Sequence, residues 1–173
     1  MKSLYNLNQN IKFYPPGSYT YYFLKTKQLH TYSYYTFEYP LIEDVEENKI
    51  TDNIKNKLEE SLKKRLITDR PFGCLLSGGL DSSIITSIVA KLVGGENVNT
   101  FAIGLKGSPD LLAAQKVADY LKTNHTNVEV SEEEMLSAIE DTIYQIESID
   151  TTTIRASVPM FLLSKYIKDN TNI

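Results

Sequence analysis

Residues 75–86 read LLSGGLDSSIIT, and this stretch decides the fold class of the chain. An apolar run ends at Ser77 and two adjacent glycines, Asp81 and two more serines follow, and apolar residues then resume at helical spacing. A strand, a glycine turn and a helix in this order are typical of α/β proteins, which bind ligands at the carboxyl ends of parallel strands. Gly78 and Gly79 permit positive φ and a close approach of the backbone to an anion. The N–H groups that open the following helix suit the same ligand.

Strands and helices are predicted to alternate from residue 71 to the end of the sequence. The apolar runs that predict strands lie at residues 72–76, 99–105 and 126–130. A helix is expected after each strand: after Asp81, after the cap Ser108 with its following proline, and after a capping box that begins at Ser131. This order predicts an α/β fold with a doubly wound parallel sheet.

A β ribbon and two more helices are predicted outside this alternating pattern. Nine of the twelve tyrosines fall at or before Tyr39, and residues 19–24 and 29–37 read as a short antiparallel β ribbon. A helix is expected to begin at the cap Thr51. The last helix is expected over residues 157–167, because Pro159 is tolerated only in a first turn.

Composition and charge limit the partners and the cellular compartment expected for the protein. The net charge of -4 over 173 residues, with no basic stripe, gives no general attraction to nucleic acid or to an anionic membrane. No apolar run approaches the roughly 20 residues that cross a bilayer, and the first ten residues lack the apolar core of a secretory signal. The single cysteine, Cys74, excludes an intrachain disulfide and suits a reducing compartment. We therefore expect a cytoplasmic protein with no nucleic-acid or membrane partner.

The composition of the glycine turn indicates a phosphate site without a lysine. Ser77, Ser82 and Ser83 can donate hydroxyl hydrogen bonds to phosphate oxygens, and Asp81 beside an anion calls for Mg²⁺ between them. The turn lacks both the G-x-x-x-x-G-K-[ST] pattern and the G-x-G-x-x-G pattern, so a P-loop and a dinucleotide fold are set aside. The alternative is a tight strand-to-helix turn in which Ser82 is only a helix cap.

Five sequence blocks, in chain order, carry a resemblance to a known family. SGGLDSS at 77–83 resembles the SGGxDS loop of the N-type ATP pyrophosphatases. FAIGL at 101–105, GSPD at 107–110 and TTIRAS at 152–157 resemble successive blocks of glutamine-hydrolysing asparagine synthetase, and YPPGSY at 14–19 is similar to the end of that family's glutaminase domain. The resemblance implies an adenine nucleotide alpha-hydrolase-like sheet preceded by the last β ribbon of a class-II glutamine amidotransferase domain.

The resemblance also implies the site residues. It places contacts to ATP and pyrophosphate at Leu76, Ser77, Gly78, Gly79, Leu80, Asp81, Ser82, Ser83, Ile103 and Gly104. Asp81 would also hold Mg²⁺, and Asp81 and Arg155 would be the catalytic residues. Thr152, Thr153 and Arg155 would bind aspartate, with the planar guanidinium holding a carboxylate by two hydrogen bonds. Without the resemblance, Arg155 would read as a surface ion pair, and residues 151–153 as a strand or a cap.

The reaction implied by the resemblance is ATP-dependent amidation of aspartate. Aspartate and ATP would give β-aspartyl-AMP and pyrophosphate, and ammonia derived from glutamine would displace AMP to give asparagine. ATP and Mg²⁺ are the implied cofactors, and the full-length protein is expected to form a homodimer.

The domain division expected from the resemblance is incomplete at both ends. Residues 1–40 would be the end of the glutaminase domain, 41–70 a linker and helix, and 71–173 the first part of the synthetase domain. Position 2 is Lys2 where the family has its glutaminase cysteine, and the S-G-E-G-[SA]-D-E block would come only after Ile173. We therefore expect a fragment that does not make asparagine by itself.

Two other functions are compatible with the loop. One is a different adenylylating enzyme, such as a β-lactam synthetase or a tRNA-thiolating enzyme, although the acidic balance disfavours tRNA and the block at 152–157 disfavours both. The other is a non-catalytic ATP-binding or interaction module.

Overall fold

The computed structural model of the protein describes residues 14–39 and 46–173. Two compact units divide the chain, Met1–Lys49 and Ile50–Ile173. The boundary expected after residue 40 and most of the connector that follows it lie outside the described residues.

The first unit contains an antiparallel ribbon. Strands β1 (Ser18–Phe23) and β2 (Gln28–Ser33) pair with Ser18 opposite Ser33. Aromatic rings line one side, and the rings of Tyr19 and Tyr32 stack with centroids 5.5 Å apart. No described residue of this unit is fully buried. The predicted ribbon is confirmed, although its second strand ends at Ser33 instead of residue 37.

The second unit is built on a three-stranded parallel sheet. Its strands are β3 (Gly73–Leu75), β4 (Asn99–Leu105) and β5 (Asn124–Val130), in the spatial order β3-β4-β5. All pairs are parallel, and Phe101 lies between Leu75 and Thr126 in register. The predicted strands are confirmed to within two residues at each end.

Helices cover both faces of this sheet. Helices α2 (Leu80–Val93) and α3 (Pro109–Leu121) lie on one face, and α6 (Thr151–Asn170) lies on the other. Neighbouring residues of β4 show the division, because successive strand side chains point to opposite faces. Ala102 packs against Leu111 of α3, whereas Phe101 packs against Leu163 of α6. The predicted doubly wound parallel sheet is therefore confirmed.

Three further α-helices and a short 3-10 helix (Gly95–Asn97) complete the described chain, and the predicted caps can be compared with the α-helices. The three α-helices are α1 (Glu47–Arg65), α4 (Glu132–Ser137) and α5 (Ile139–Ile146). The capping box is confirmed, with Ser131 and Glu134 exchanging hydrogen bonds of 3.1 and 2.7 Å. The Ser108 cap of α3 is also confirmed. The cap predicted at Thr51 is wrong, because α1 begins four residues earlier and Thr51 lies within it.

Helix α6 departs most from the sequence-based expectation. It begins at Thr151, capped by Asp150, and Pro159 lies inside it. The expectation that the helix could not extend before residue 157 is wrong. Val158 is buried, and Leu163 packs against Phe101 and Val128 of the sheet, so burial stabilises the helix on the far side of the proline. No helix within the described residues is long and apolar enough to cross a membrane.

Candidate functional site

Residues 77–83, called the 77–83 loop, connect β3 to α2 at the carboxyl end of the sheet and include the first turn of α2. Gly78 has a φ of +76°, in the region that favours glycine, whereas Gly79 has a φ of -71° and an extended backbone. A Cβ atom on Gly78 would lie 2.5 Å from backbone atoms of Ala113 and Ala114. The positive φ predicted for the turn is therefore found at Gly78 alone, and that glycine lets the loop lie directly on α3.

Three serine hydroxyls brace the 77–83 loop. The Oγ atoms of Ser77 and Ser82 lie 3.0 Å apart, and the Ser77 N–H donates to Ser82 Oγ at 3.3 Å. Ser83 Oγ donates to the carbonyl of Gly79 at 2.7 Å. The N-cap of α2 is Gly79, which has no side chain, so the cap expected at Ser82 is wrong. These internal hydrogen bonds stabilise the loop, and the Ser83 hydroxyl would have to leave the Gly79 carbonyl before it could donate to a phosphate.

The first turn of α2 presents backbone donors next to an exposed carboxylate. The N–H of Ser83 donates to Gly79 O at 3.0 Å and closes the first helical turn. The N–H groups of Leu80, Asp81 and Ser82 precede that bond and have no carbonyl four residues back within the helix. Such groups, together with the helix dipole, favour a bound anion. The side chain of Asp81 is exposed and points to no basic partner among the described ion pairs.

The residues of the loop fit Mg²⁺ only as a metal shared with a ligand. No group of three or more histidine, cysteine, aspartate or glutamate side chains suitable for a metal occurs in residues 14–39 and 46–173. Mg²⁺ is commonly held by one or two carboxylates together with phosphate oxygens and water. The single exposed carboxylate of Asp81, in the same first turn of α2 as the N–H groups without a helical partner, matches that arrangement.

A cavity of about 200 Å³ lies beside the loop, at the carboxyl ends of β3 and β4 and under α6. Leu76, Ser77 and Ile103 were predicted to contact ATP, and all three line it. The sequence analysis missed the other residues of the wall, which are Leu75, Phe101, Ala102, Asp110, Met160 and Leu163. The position of Asp110 after a strand's carboxyl end was the available signal for that residue. Nothing in the sequence alone brings α6 to the same place.

Gly104 serves the packing of α3 and does not line this cavity. A Cβ atom on Gly104 would lie 2.6 Å from Ser108 Oγ and 3.2 Å from Leu111 Cγ. The glycine therefore allows the first turn of α3 to approach β4 closely. That approach fixes the position of Asp110 relative to the strand.

The residues predicted to bind aspartate all lie in the first turns of α6. Asp150 accepts hydrogen bonds of 2.8 Å from the N–H and from the hydroxyl of Thr153. These bonds, the backbone one first, lower the pKa of Asp150 below its ordinary value. Thr152 and Arg155 are exposed, and Arg155 takes part in no ion pair found among the described residues. The surface ion pair considered for Arg155 is therefore absent from the described part of the chain.

Helix α6 connects the residues predicted to bind aspartate to the wall of the cavity. Arg155 precedes Met160 by five residues, about 7.5 Å along a helix axis. Met160 lines the cavity, whereas Thr152, Thr153 and Arg155 do not. The structure thus brings Leu76, Ser77 and Ile103 together at the cavity. The residues predicted to bind aspartate lie nearer the amino end of α6 than Met160 does.

Cys74 sits in β3 just before the loop, with its side chain partly buried. Burial raises the pKa of its thiol, and the neighbouring hydroxyl of Thr86 opposes that effect only in part. A raised pKa disfavours the reactive thiolate, so Cys74 has no features of a nucleophile.

Sequence comparison finds one family and a consistent set of relatives. The profile of the asparagine synthase family matches residues 53–173. The chain is 42% identical to asparagine synthetase B (glutamine-hydrolyzing) of Escherichia coli K12, over 97% of this chain and 32% of that protein. It is 46% identical to human asparagine synthetase (glutamine-hydrolyzing), over 71% of this chain and 23% of that protein. The chain therefore spans about a third or less of the length of these curated relatives.

Solved structures with a similar fold were also found. The chain resembles an NH3-dependent NAD synthetase from Campylobacter jejuni with a TM-score of 0.45 and 21% identity, over 75% of this chain and 55% of that one. It resembles an NMN synthetase from Francisella tularensis with a TM-score of 0.40 and 20% identity, over 75% and 53% of the two chains.

Proposed function

Because the chain belongs to the asparagine synthase family, we propose that it acts in the ATP-dependent conversion of aspartate to asparagine. The observation that carries this proposal is the 77–83 loop, which presents free N–H groups at the carboxyl end of β3 beside an apolar cavity. The cavity would take the adenosine of ATP, and the loop would take its β- and γ-phosphates. Ser77 lines the cavity and belongs to the loop, so the two parts would bind one continuous ligand.

Adenylylation needs a carboxylate nucleophile and a stabilised leaving group. A side-chain oxygen of aspartate attacks the α-phosphorus of ATP, and the bond from that phosphorus to the oxygen shared with the β-phosphate breaks. The products are β-aspartyl-AMP and pyrophosphate. Charge builds up on the departing pyrophosphate, and the N–H groups that open α2 would stabilise that charge with little reorganisation. The 77–83 loop would contribute to catalysis in this way.

Mg²⁺ would be held by Asp81 together with phosphate oxygens. When bound, it neutralises negative charge on the phosphates. The protein's own contribution at this point is the exposed carboxylate of Asp81, the second residue of α2.

The aspartate substrate would bind along the first turns of α6. The guanidinium of Arg155 is exposed and suited to hold a carboxylate by two parallel hydrogen bonds. Thr152 and Thr153 would supply hydroxyl contacts, and the Asp150 cap fixes the turn that carries them. Ammonia from glutamine would then displace AMP. We also propose that the full-length protein is a cytoplasmic homodimer with a glutaminase domain.

Nucleotide binding by the whole chain tests the proposal. Isothermal titration calorimetry with ATP, with and without Mg²⁺, should show tighter binding when Mg²⁺ is present. Asp81→Asn should weaken the binding of ATP in the presence of Mg²⁺ by about tenfold or more, because the carboxylate no longer links the metal to the protein. Asp119→Asn is the matched control, since Asp119 lies in the last turn of α3 and is hydrogen-bonded to Gln115 at 2.8 Å. A chain that binds no ATP would contradict the proposal.

Pyrophosphate release separates the proposed function from the other adenylylating enzymes. In a full-length protein carrying this sequence, aspartate should stimulate pyrophosphate release from ATP, and other carboxylates should not. Stimulation by tRNA or by a β-lactam precursor instead would assign a different enzyme to the same loop.

A further inference from the structure

Strand β5 forms an open edge of the three-stranded sheet. The order β3-β4-β5 leaves one edge at β3, which has three residues, and one at β5, which has seven. β5 pairs with β4 in unbroken register along its whole length. Edge strands of soluble proteins are usually short, or carry lysine, proline or a bulge that discourages pairing with another chain. The sequence of β5, NHTNVEV, contains neither lysine nor proline, so this edge has none of these protections.

The backbone groups of β5 point alternately towards β4 and towards the open edge. The N–H of Asn124 donates to the carbonyl of Val98 at 2.9 Å, on the side of β4. Because the backbone direction alternates along a strand, the N–H and C=O groups of His125, Asn127 and Glu129 point outward. Within the part of the chain that the structure describes, no loop or turn hydrogen bond reaches these groups. They form a row of donors and acceptors that another strand can use.

We propose that this edge binds a second copy of the chain, with the two β5 strands antiparallel and Asn127 on the two-fold axis between them. The two sheets would then form one continuous sheet. The inference rests on the proposed function only for its expectation of a homodimer, to which it assigns an interface. It does not depend on the adenylylation reaction.

The register with Asn127 on the axis pairs all of the outward groups just described. Asn127 lies opposite itself, and His125 of each copy lies opposite Glu129 of the other. In an antiparallel ladder, the two residues of such a pair exchange both of their N–H···O bonds. The interface is isologous, so the same strand supplies both of its sides. An axis at His125 or at Glu129 would instead leave outward groups at one end of the strand without a partner.

Charge also favours this register. Glu129 is the acidic residue of β5, and His125 is its basic one. Residues that lie directly opposite each other in a sheet present their side chains on the same face, where like charges destabilise the pair. An axis at Glu129 would bring two carboxylates together. The axis at Asn127 instead places each carboxylate beside an imidazole.

Side-chain hydrogen bonds already hold the edge strand in place. Nδ1 of His125 lies 2.9 Å from Oγ1 of Thr100 in β4, and Nε2 lies 3.0 Å from Oδ1 of Asn127. Nδ2 of Asn127 donates to Oε1 of Gln115 in α3 at 3.0 Å. The imidazole would therefore interact with Glu129 of the other copy through its charge distribution and not through a new hydrogen bond. An edge that is ordered in the monomer loses little conformational entropy on pairing.

Sedimentation velocity of the whole chain tests the proposal. The wild-type chain should show a monomer–dimer equilibrium that depends on protein concentration. Glu129→Pro should weaken the dimer by about tenfold or more, because the outward N–H is lost in both copies. Proline is tolerated at an edge strand when the N–H that it lacks faces solvent, so the monomer should remain folded. Glu129→Ala keeps the N–H and should weaken the dimer by only about threefold or less.

A lysine at the same position provides a second test that leaves the backbone intact. Glu129→Lys should weaken the dimer by about tenfold, because a cation would face His125 of the other copy and lysine discourages edge pairing. Glu140→Lys is the matched control, since it makes the same change of charge at an exposed residue in the first turn of α5. It should leave the dimer unchanged. Thermal unfolding of each variant would verify that it is folded.

Disulfide formation tests the register directly, in a chain whose native thiol is removed by Cys74→Ala. The Cα atoms of a hydrogen-bonded antiparallel pair are about 5.5 Å apart, within the range of a disulfide. Asn127→Cys should therefore form a dimer linked through its own thiol under mild oxidation. Glu129→Cys should not, because the two copies of that residue would lie roughly 13 Å apart along the strands.

Three results would overturn the assignment of this edge. The first is a wild-type chain that stays monomeric at its highest soluble concentration, whether or not an unrelated extended peptide binds to β5. The second is a dimer that folded Glu129→Pro and Glu129→Lys variants leave unchanged. The third is disulfide formation by Glu129→Cys in preference to Asn127→Cys. None of these results concerns ATP binding or pyrophosphate release, so the proposed reaction is tested separately.

Discussion

The adjacent glycines of the 77–83 loop have different structural roles. Gly78 has a positive φ and lies against α3, where a Cβ atom would come within 2.5 Å of backbone atoms. Gly79 has an ordinary negative φ, and a Cβ atom there would meet only Ser77 Oγ, at 3.4 Å. The sequence motif presents both glycines alike, but only the first one needs to lack a side chain.

Alanine substitution of each glycine measures this difference. Gly78→Ala should lower the free energy of unfolding by roughly 2–4 kcal/mol, since strain at positive φ adds to overpacking against α3. Gly79→Ala should cost less than about 1 kcal/mol, which is the usual range for a helix N-cap without a side-chain bond. Urea denaturation of both variants provides the measurement. Equal losses of stability would show that the contact with Ala113 and Ala114 is not what restricts Gly78.

Helix α6 continues through a proline because its two ends are held independently. Asp150 caps the amino end by accepting from Thr153, and Leu163 is buried against the sheet on the far side of Pro159. Proline has no N–H, so the carbonyl of Arg155 loses its usual helical partner. The break in the hydrogen-bond ladder therefore falls at the residue proposed to bind aspartate.

Restoring the missing N–H measures how much Pro159 lowers the free energy of unfolding. Pro159→Ala should raise the free energy of unfolding by roughly 1–3 kcal/mol, because it adds a backbone hydrogen bond and relieves the clash of the ring with the preceding turn. Pro109→Ala is the matched control. Pro109 is the first residue of α3, where no N–H is needed, so its replacement should leave stability the same or slightly lower. Loss of stability in Pro159→Ala would mean that packing of the ring outweighs the missing bond.

The buried cores of the protein lie in the second unit. Among residues 14–39 and 46–173, all three clusters of buried apolar residues lie at or after Leu62. The described part of the first unit contributes a ribbon with many exposed tyrosines and no buried residue. A two-stranded ribbon alone is marginally stable in water, whereas a sheet covered by helices on both faces has its own core.

A shortened chain of residues 46–173 should therefore fold by itself. We expect a single cooperative thermal transition within a few degrees of that of the whole chain, and the same affinity for ATP with Mg²⁺. Circular dichroism and calorimetry on the two chains would make the comparison. A shortened chain that aggregates or lacks a cooperative transition would show that residues before Glu46 are needed for the second unit.

Local sequence signals predicted most of the fold. Some elements depend only on neighbours within a few positions, so the sequence is enough to predict them. Examples are the caps at Ser108 and Ser131 and the strand at residues 99–105. The prediction failed at α1 and at α6, where helices extend beyond their expected first residues. In α6, burial of Leu163 against β-strands overrides the local cost of Pro159. Local propensity is a weak guide when tertiary packing supplies the larger free energy.

The sequence by itself determined the order of strands and helices, the phosphate-type loop and the family resemblance, since these depend on residues close together in the chain. Only the tertiary structure decided that Gly78 alone is restricted, that Leu76 and Ile103 share a cavity with Met160, and that Asp110 is the charged group in its wall. These features depend on α3 and α6 packing on opposite faces of one sheet. Such packing brings together residues more than 80 positions apart in the sequence, and no local sequence pattern predicts contacts over that separation.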